Sequence, residues 1–385
     1  MRLSSQVIER SPKEFASQVV GRLLPHCGNA TVRHFAEEIA AAAPCPWLRP
    51  LHPALHPPGT QLLLTLEGHS KRVLGVALTP DGKLALSASR DQTLRVWDIE
   101  AGRVLRILGG HSGAVFDVAV APDGRRAVSA GRDKTLKVWD LQTGCVLLTL
   151  EGHSARVEAV AVMPDGKAAI SASGDRTLKM WDLQTGAALL TLEGHSNWVC
   201  GVAITPDGKR AVSASRDNTL KVWDLIAGRE LLTLEGHSDT VSGVALTPDG
   251  KLVVSASWDK TLKVWDLETG RALYTLSGHS HPISGVAVTP DGNTALSASY
   301  DRTVKIWDLI RGRELCTLEG HSDEVNAVEV AADGKLAISA SDDKTVKVWD
   351  LKSSSKLRGL QGNSDWLKSL AVTPDGRYVV STSAH

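Results

Sequence analysis

From residue 61 onward the chain alternates short apolar runs with polar turn signals. In one stretch Val199–Ile204 is a β-branched run, Pro206-Asp207-Gly208-Lys209 a tight turn, and residues 211–215 a second run. Arg216-Asp217-Asn218 turns the chain again, residues 219–223 make a third run, Ala227-Gly228 a third turn, and residues 230–234 a fourth run. Runs of this length, bounded by Asp-Gly and similar breakers, predict antiparallel strands joined by hairpins. The whole set then recurs. Trp97, Trp139, Trp181, Trp223, Trp265, Trp307 and Trp349 each precede an Asp, at a constant interval of 42 residues. A Gly-His pair keeps the same interval, from His69 to His321. A fixed period of this length marks units that stack into one array.

Strand direction alternates, so the Gly-His loop and the turn at Asp217 fall at one end of a unit, here called the upper end. The Pro-Asp-Gly and Ala-Gly turns fall at the lower end. His195 can therefore meet Asp217, with Ser213 on the strand leading to that turn and Trp223 on the strand leaving it. The spacings of 18, 4 and 6 residues recur from His69, Ser87, Asp91 and Trp97 to His321, Ser339, Asp343 and Trp349. Buried imidazole, carboxylate, hydroxyl and indole N–H groups all need partners, and this set can satisfy itself.

Across residues 61–383 the chain resembles the WD-repeat β-propeller family. That resemblance implies an all-β propeller with four strands per blade, and it implies a structural network of His, Ser, Asp and Trp bracing each blade. A touching Ser, His and Asp also invites a catalytic reading. Catalysis needs one distinguished site, however, and this set recurs unaltered seven times without a G-x-S-x-G elbow. No phosphate-binding loop, H-E-x-x-H or dinucleotide fingerprint is present, so no enzyme, cofactor or metal is expected.

The first 60 residues do not repeat. Ser11-Pro12-Lys13-Glu14 reads as a helix start, followed by Phe15, Val19, Val20, Leu23 and Leu24 at helical spacing. Val32, Phe35, Ala36 and Ile39 form the stripe of a second helix before Pro44. The expected organisation is a helical segment over 1–43, a Pro-rich linker over 44–60 and the propeller over 61–385. His52 and His56 have metal-like spacing, but Pro53, Pro57 and Pro58 oppose the helix it requires. The helical and Pro-rich lead-in resembles the segment that joins nucleotide-binding part to propeller in bacterial WD-repeat signalling NTPases, which implies a sensor role within a longer protein.

Composition narrows the partners. Lys plus Arg and Asp plus Glu both number 43, so the chain lacks the basic excess of a general polyanion binder. Its five cysteines are an odd number, widely spaced and without C-x-x-C, which fits a reduced, cytoplasmic chain. No apolar run is long enough to span a bilayer.

The lower turns barely vary between units, whereas the upper end does. Early units place Arg72, Arg90, Phe116, Arg132 and Arg156 there, and units four to six place Trp198, Arg216, Trp258 and Tyr300. The seventh is acidic, with Asp323, Glu324 and Asp342. Trp, Tyr and Arg are the residue types enriched at binding hot spots. The expected function is a non-enzymatic protein- or peptide-binding scaffold using this face, with nucleic acid and membrane disfavoured; a structural spacer is the alternative. Glu158 alone does not make a channel active site.

Ring closure is the open point. Residues 61–66 read as a lone fourth strand that could complete the last blade. Residues 356–360 offer a competing fourth strand, and 366–373 with 377–383 begin an eighth unit that has Asn363 where His belongs. Seven blades are expected, against eight with an incomplete last blade, and the unfinished unit suggests a longer parent.

Overall fold

The computed structural model describes residues 61–351 and the backbone of two later strands, Leu367–Val372 and Val379–Ser383. The expected N-terminal helices, the Pro-rich linker with His52 and His56, and the strand expected at 356–360 lie outside the described residues. Seven four-stranded antiparallel sheets form the ring. Blade 1 runs from an inner strand, Val73–Leu78, through Leu84–Ser89 and Thr93–Asp98 to an outer strand, Arg103–Gly109. The inner strands line a central channel, each packing against the next, and Val325–Val330 of blade 7 packs against Val73–Leu78 of blade 1. Among the described residues no helix is long and apolar enough to cross a membrane.

The ring closes through the N-terminal side of the array. Leu62–Glu67 pairs antiparallel with Thr345–Asp350 and supplies the outer strand of blade 7. Leu66 at the seam packs among Val346, Val348 and Ile338 of blade 7 and Val73, Ala85 and Trp97 of blade 1. Sharing a blade between distant segments removes a free edge at the junction. Leu367–Val372 and Val379–Ser383 pair with each other and join no four-stranded sheet. Their register shifts between Leu367 and Ser369, as each blade's first hairpin shifts between residues such as Val73 and Gly75.

Packing between blades uses alternate residues of neighbouring sheets. Val212, Ala214, Leu220, Val222 and Leu234 of blade 4 meet Val241, Val253, Trp265 and Leu267 of blade 5. The seven repeated Trp side chains are the largest fully buried groups, so each indole closes the outer side of one such interface.

Candidate functional site: the upper face and its channel

Each blade carries the same hydrogen-bonded set under its upper rim. In blade 4, His195 Nδ1 lies 2.7 Å from Asp217 Oδ2 and Nε2 lies 2.7 Å from Ser213 Oγ, while the Trp223 indole N–H donates to the same Oγ at 2.8 Å. His69, Ser87, Asp91 and Trp97 meet in blade 1 in the same way. So do His321, Ser339, Asp343 and Trp349 in blade 7. Donor and acceptor counts assign a neutral imidazole: Trp N–H to Ser Oγ, Ser O–H to Nε2, and Nδ1–H to the carboxylate. Sequence reasoning passed over one member, the Thr two residues beyond the Asp, although it repeats in every unit. Thr219 donates its hydroxyl to Asp217 Oδ1 at 2.7 Å and its N–H at 3.1 Å, filling the carboxylate's second oxygen.

Charge follows this geometry. Burial alone raises the Asp91 carboxyl, but hydrogen bonds from Thr93 and His69 outweigh it and hold it down at about 2. The equivalent bonds hold Asp217 and Asp343 well below the usual carboxylate range. Burial lowers His69, His111 and His321. The seven Ser hydroxyls are fully buried, so no substrate can reach them as nucleophiles. The residue after each network Asp adopts the left-handed region although it is not glycine, from Gln92 (φ 75°) to Lys344 (φ 70°). Such a conformation persists when surrounding bonds over-determine it, and the Asp supplies them.

Above this layer the copies diverge. Arg72 pairs with Asp342 across the closing seam at 2.5 Å, so it joins blade 1 to blade 7. Asn326 reinforces the seam, donating to Asp342 Oδ1 at 2.8 Å and to the Val73 carbonyl at 2.9 Å. At the position equivalent to Asn326, Ser242 and Ser284 donate to the carbonyls of Ile283 and Val325 in the next blade, both at 2.6 Å. These variable residues brace the ring. Arg90 and Arg132 are exposed and border a groove with Lys71 between blades 1 and 2. Tyr300 is half-buried at the blade 6 rim.

The remaining rim residues form one stack. The Arg156 guanidinium lies 5.1 Å from the Phe116 ring centre and 4.3 Å from that of Trp198. Arg216 lies 4.4 Å from the other side of the series at Trp198 and 5.3 Å from Trp258. Aromatic and guanidinium groups thus alternate across blades 2 to 5. Gly174 lies beside the stack, where an added Cβ would meet Trp198 at an ordinary contact distance of 3.6 Å. The Arg216 N–H donates to the Trp198 carbonyl at 2.9 Å, tying the two rim turns of blade 4 together. Arg156 is ion-paired with Glu158. Arg216 has no ion pair among the described residues, and its Nε is buried without a hydrogen-bond partner.

Below the mouth the channel holds two carboxylates that sequence reasoning missed. Asp117 stands where the other units have Gly75, Ala159, Gly201, Gly243, Gly285 and Ala327, and Glu329 stands where the other six have Ala. Both breaks were visible in the self-alignment. Asp117 accepts N–H groups from Val118 at 2.8 Å and from Val160 of the next blade at 3.0 Å, yet burial pushes its carboxyl up to about 6. Enclosure and the charge of Asp117 push Glu329 up to about 7. Glu329 nonetheless keeps a large accessible surface, because it projects into the channel lumen and not into packed core. Solvent in the lumen screens its charge.

Two other features carry no chemistry. Burial pushes the Cys200 thiol at the mouth up to about 11, which leaves it protonated and a poor nucleophile. A cavity of about 430 Å³ lies on the lower face between blades 6 and 7, lined by Pro290, Leu296, Asp333 and Leu351 among others. Among the described residues no three His, Cys, Asp or Glu side chains gather as a metal site.

Comparison with known proteins places this geometry. The family model described as WD domain, G-beta repeat matches eight successive segments, from residues 60–98 to 312–350 and then 354–385. Every segment but the last ends on a Trp-Asp pair, so the sequence repeat opens with the outer strand of the preceding blade and runs one strand out of phase with it. The chain is 54% identical over 41 residues to the small ribosomal subunit protein RACK1 of Drosophila melanogaster, covering 11% of this chain and 13% of that protein. It is 48% identical over 46 residues to the nuclear distribution protein PAC1 of Yarrowia lipolytica, covering 12% of this chain and 10% of that one. The matched stretches span only about an eighth and a tenth of those relatives. With repeats matched over most of its length and seven blades closed into a ring, the chain belongs to the WD40-repeat family.

Proposed function

We propose that this propeller is a non-catalytic recognition module that holds a protein or peptide on its upper face. The observation that carries the reading is the stack of Phe116, Arg156, Trp198, Arg216 and Trp258. It is built from positions at which the units differ, and bracing a blade does not require it. Large, half-exposed aromatic groups held rigid by stacking lose little entropy on binding, as hot-spot residues do. The names of the relatives matched over short stretches, a small ribosomal subunit protein and a nuclear distribution protein, suit a component of assemblies. The dispersed cysteines support a cytoplasmic setting. A sensor role within a longer signalling NTPase rests on the N-terminal lead-in alone.

The test is capture of partners from lysate by wild-type protein and by a variant with Trp198, Arg216, Trp258 and Tyr300 all changed to Ala. Loss of specific partners with a retained cooperative melt supports the reading. Unchanged capture by a folded variant refutes it.

A further inference from the structure

We propose that the upper face selects an acidic peptide, whose oxyanion group pairs with Arg216 while a neighbouring apolar side chain covers Trp198 or Trp258. This inference rests on the peptide-binding reading above and assigns the chemistry of the peptide. Of the two guanidinium groups in the stack, Arg156 is neutralised by Glu158. Arg216 is stacked in the same way, yet it has no carboxylate within ion-pair distance: Glu158 acts on it only at longer range, Cys200 Sγ faces its guanidinium, and its Nε has no acceptor. A buried donor without a partner is costly, and a charged one more so. Nε is enclosed, so an oxyanion would pair with the terminal N–H groups of the planar fork. The site is therefore set up for a carboxylate or phosphate group that the chain does not itself provide.

The charge around the stack agrees. Lys71, Arg90 and Arg132 border the groove between blades 1 and 2. The left-handed position after the network Asp is Lys or Arg in five of the seven blades, ringing the face with exposed cations. The acids of the same face are mostly engaged: Glu158 with Arg156, and Asp342 with Arg72. Asp323 and Glu324 of blade 7 stand on the far side of the mouth from the stack. Beyond Asp239, which is exposed at the blade 5 end, a peptide running toward blades 1–2 meets Arg216 and then Arg132, Arg90 and Lys71. Single-stranded nucleic acid would also stack on the aromatics, but a phosphate backbone crossing the mouth would meet the blade 7 acids.

The experiment selects random short peptides on the full chain, then measures their binding by fluorescence anisotropy. Selected peptides are compared with Asp/Glu-to-amide and phosphoserine versions, and with oligouridylate as the nucleic-acid probe. Acidic residues should be enriched. Replacing the key carboxylate by its amide should weaken binding about ten- to a hundred-fold, and phosphoserine at that position separates the two oxyanion sources. Arg216→Ala should abolish the carboxylate-versus-amide discrimination, and Arg216→Lys, which retains charge without the planar fork, should keep part of it. Melting curves of both variants establish that they are folded. Neutral or basic peptides whose binding still depends on Trp198 would overturn the acidic assignment and leave peptide recognition standing. Peptides insensitive to Trp198→Ala and Arg216→Ala alike, or no peptides at all, would overturn both. Oligouridylate binding more tightly than any selected peptide would replace the occupant and overturn this proposal.

Discussion

The layer under the upper rim and the mouth above it are built from the same loops, but their polar groups end in different states. In the lower layer Asp217 has both oxygens filled by His195, Thr219 and backbone N–H groups. At the mouth, one residue earlier in the chain, Arg216 keeps a buried Nε with no partner. The lower layer repeats in seven copies and the mouth residues do not. The lesson is about valence. Groups that repeat are satisfied within their own blade, whereas groups that break the repeat pair with one another, as Arg156 does with Glu158, or are satisfied by a neighbouring blade or by nothing in the chain. Ser242, Ser284 and Asn326 are the neighbour-satisfied kind. Arg216 and Glu329 are the unsatisfied kind.

The largest effect should come from breaking the satisfied layer. Asp217→Ala removes the acceptor of His195 and Thr219 and orphans several buried donors. It should cost about 3 kcal/mol of stability, read as a lower melting temperature. Trp198→Ala, at the mouth of the same blade, should cost less than about 1 kcal/mol. Equal losses from the two substitutions would erase the distinction between the layers.

Next comes the channel wall, where one blade's broken position constrains its neighbour. Gly75 has ordinary backbone angles but no room: a Cβ would sit 2.8 Å from the Phe116 carbonyl oxygen and 2.9 Å from the Asp117 Cα. The backbone must shift to admit it, so Gly75→Ala should cost about 1–3 kcal/mol. At Gly243 the nearest approach is 3.3 Å, to the Cα of Gly285, and Ala there should be tolerated better. Denaturant titrations of both variants rank them, and the reverse order would mean that the close approach of blades 1 and 2 at Gly75 relaxes without cost.

These contacts explain what could be read from the sequence and what could not. The 42-residue interval carried the strands and the turns, because each depends on contacts within a unit, whereas seven blades and a closing strand at 61–66 stood against competing readings until the pairing of Leu62–Glu67 with Thr345–Asp350 decided them. Bonds between blades are not encoded in any one unit. Arg72 is read as a free rim cation until ring closure brings it to Asp342, some 270 residues later in the chain. Asp117 and Glu329 are visible as charges in columns of Gly and Ala, but only the ring shows that both columns face one channel.

The two layers should also respond to pH with opposite sign. The network carboxylates are held below their unfolded values, so their contribution is present above a pH of about 4 and is lost as pH falls. For Asp91 the loss completes near its folded value of about 2. His69, His111 and His321, lowered by burial, add a loss that begins below about 6.5. Glu329 is raised to about 7, so its effect runs the other way: stability is lost as pH rises through that value. Glu329→Gln should therefore raise the melting temperature above neutral pH and leave it unchanged near pH ~4. The gain should stay under about 1 kcal/mol, because lumen solvent screens the charge. An equal change at both pH values would show that Glu329 is not destabilised by its setting.

The smallest effect tests the position that links the layers. Arg176 has φ 72°, fixed by the network Asp before it, while its side chain is free to differ between blades. Blade 4 places Asn218 at the equivalent turn, with φ 69°. Asn tolerates the left-handed region better than Arg does, and it avoids the extra chain entropy that Gly would add to the unfolded state. Arg176→Asn should thus stabilise the protein by about 0.5 kcal/mol or less, measured by denaturant titration, while removing one cation from the rim. If the variant is less stable instead, the Arg side chain has a structural partner and the ring of cations is part of the scaffold. If it is more stable, the chain tolerates a small local strain to place charge on the upper face. That separation of backbone from side chain is what an interaction surface built on a repeated scaffold requires.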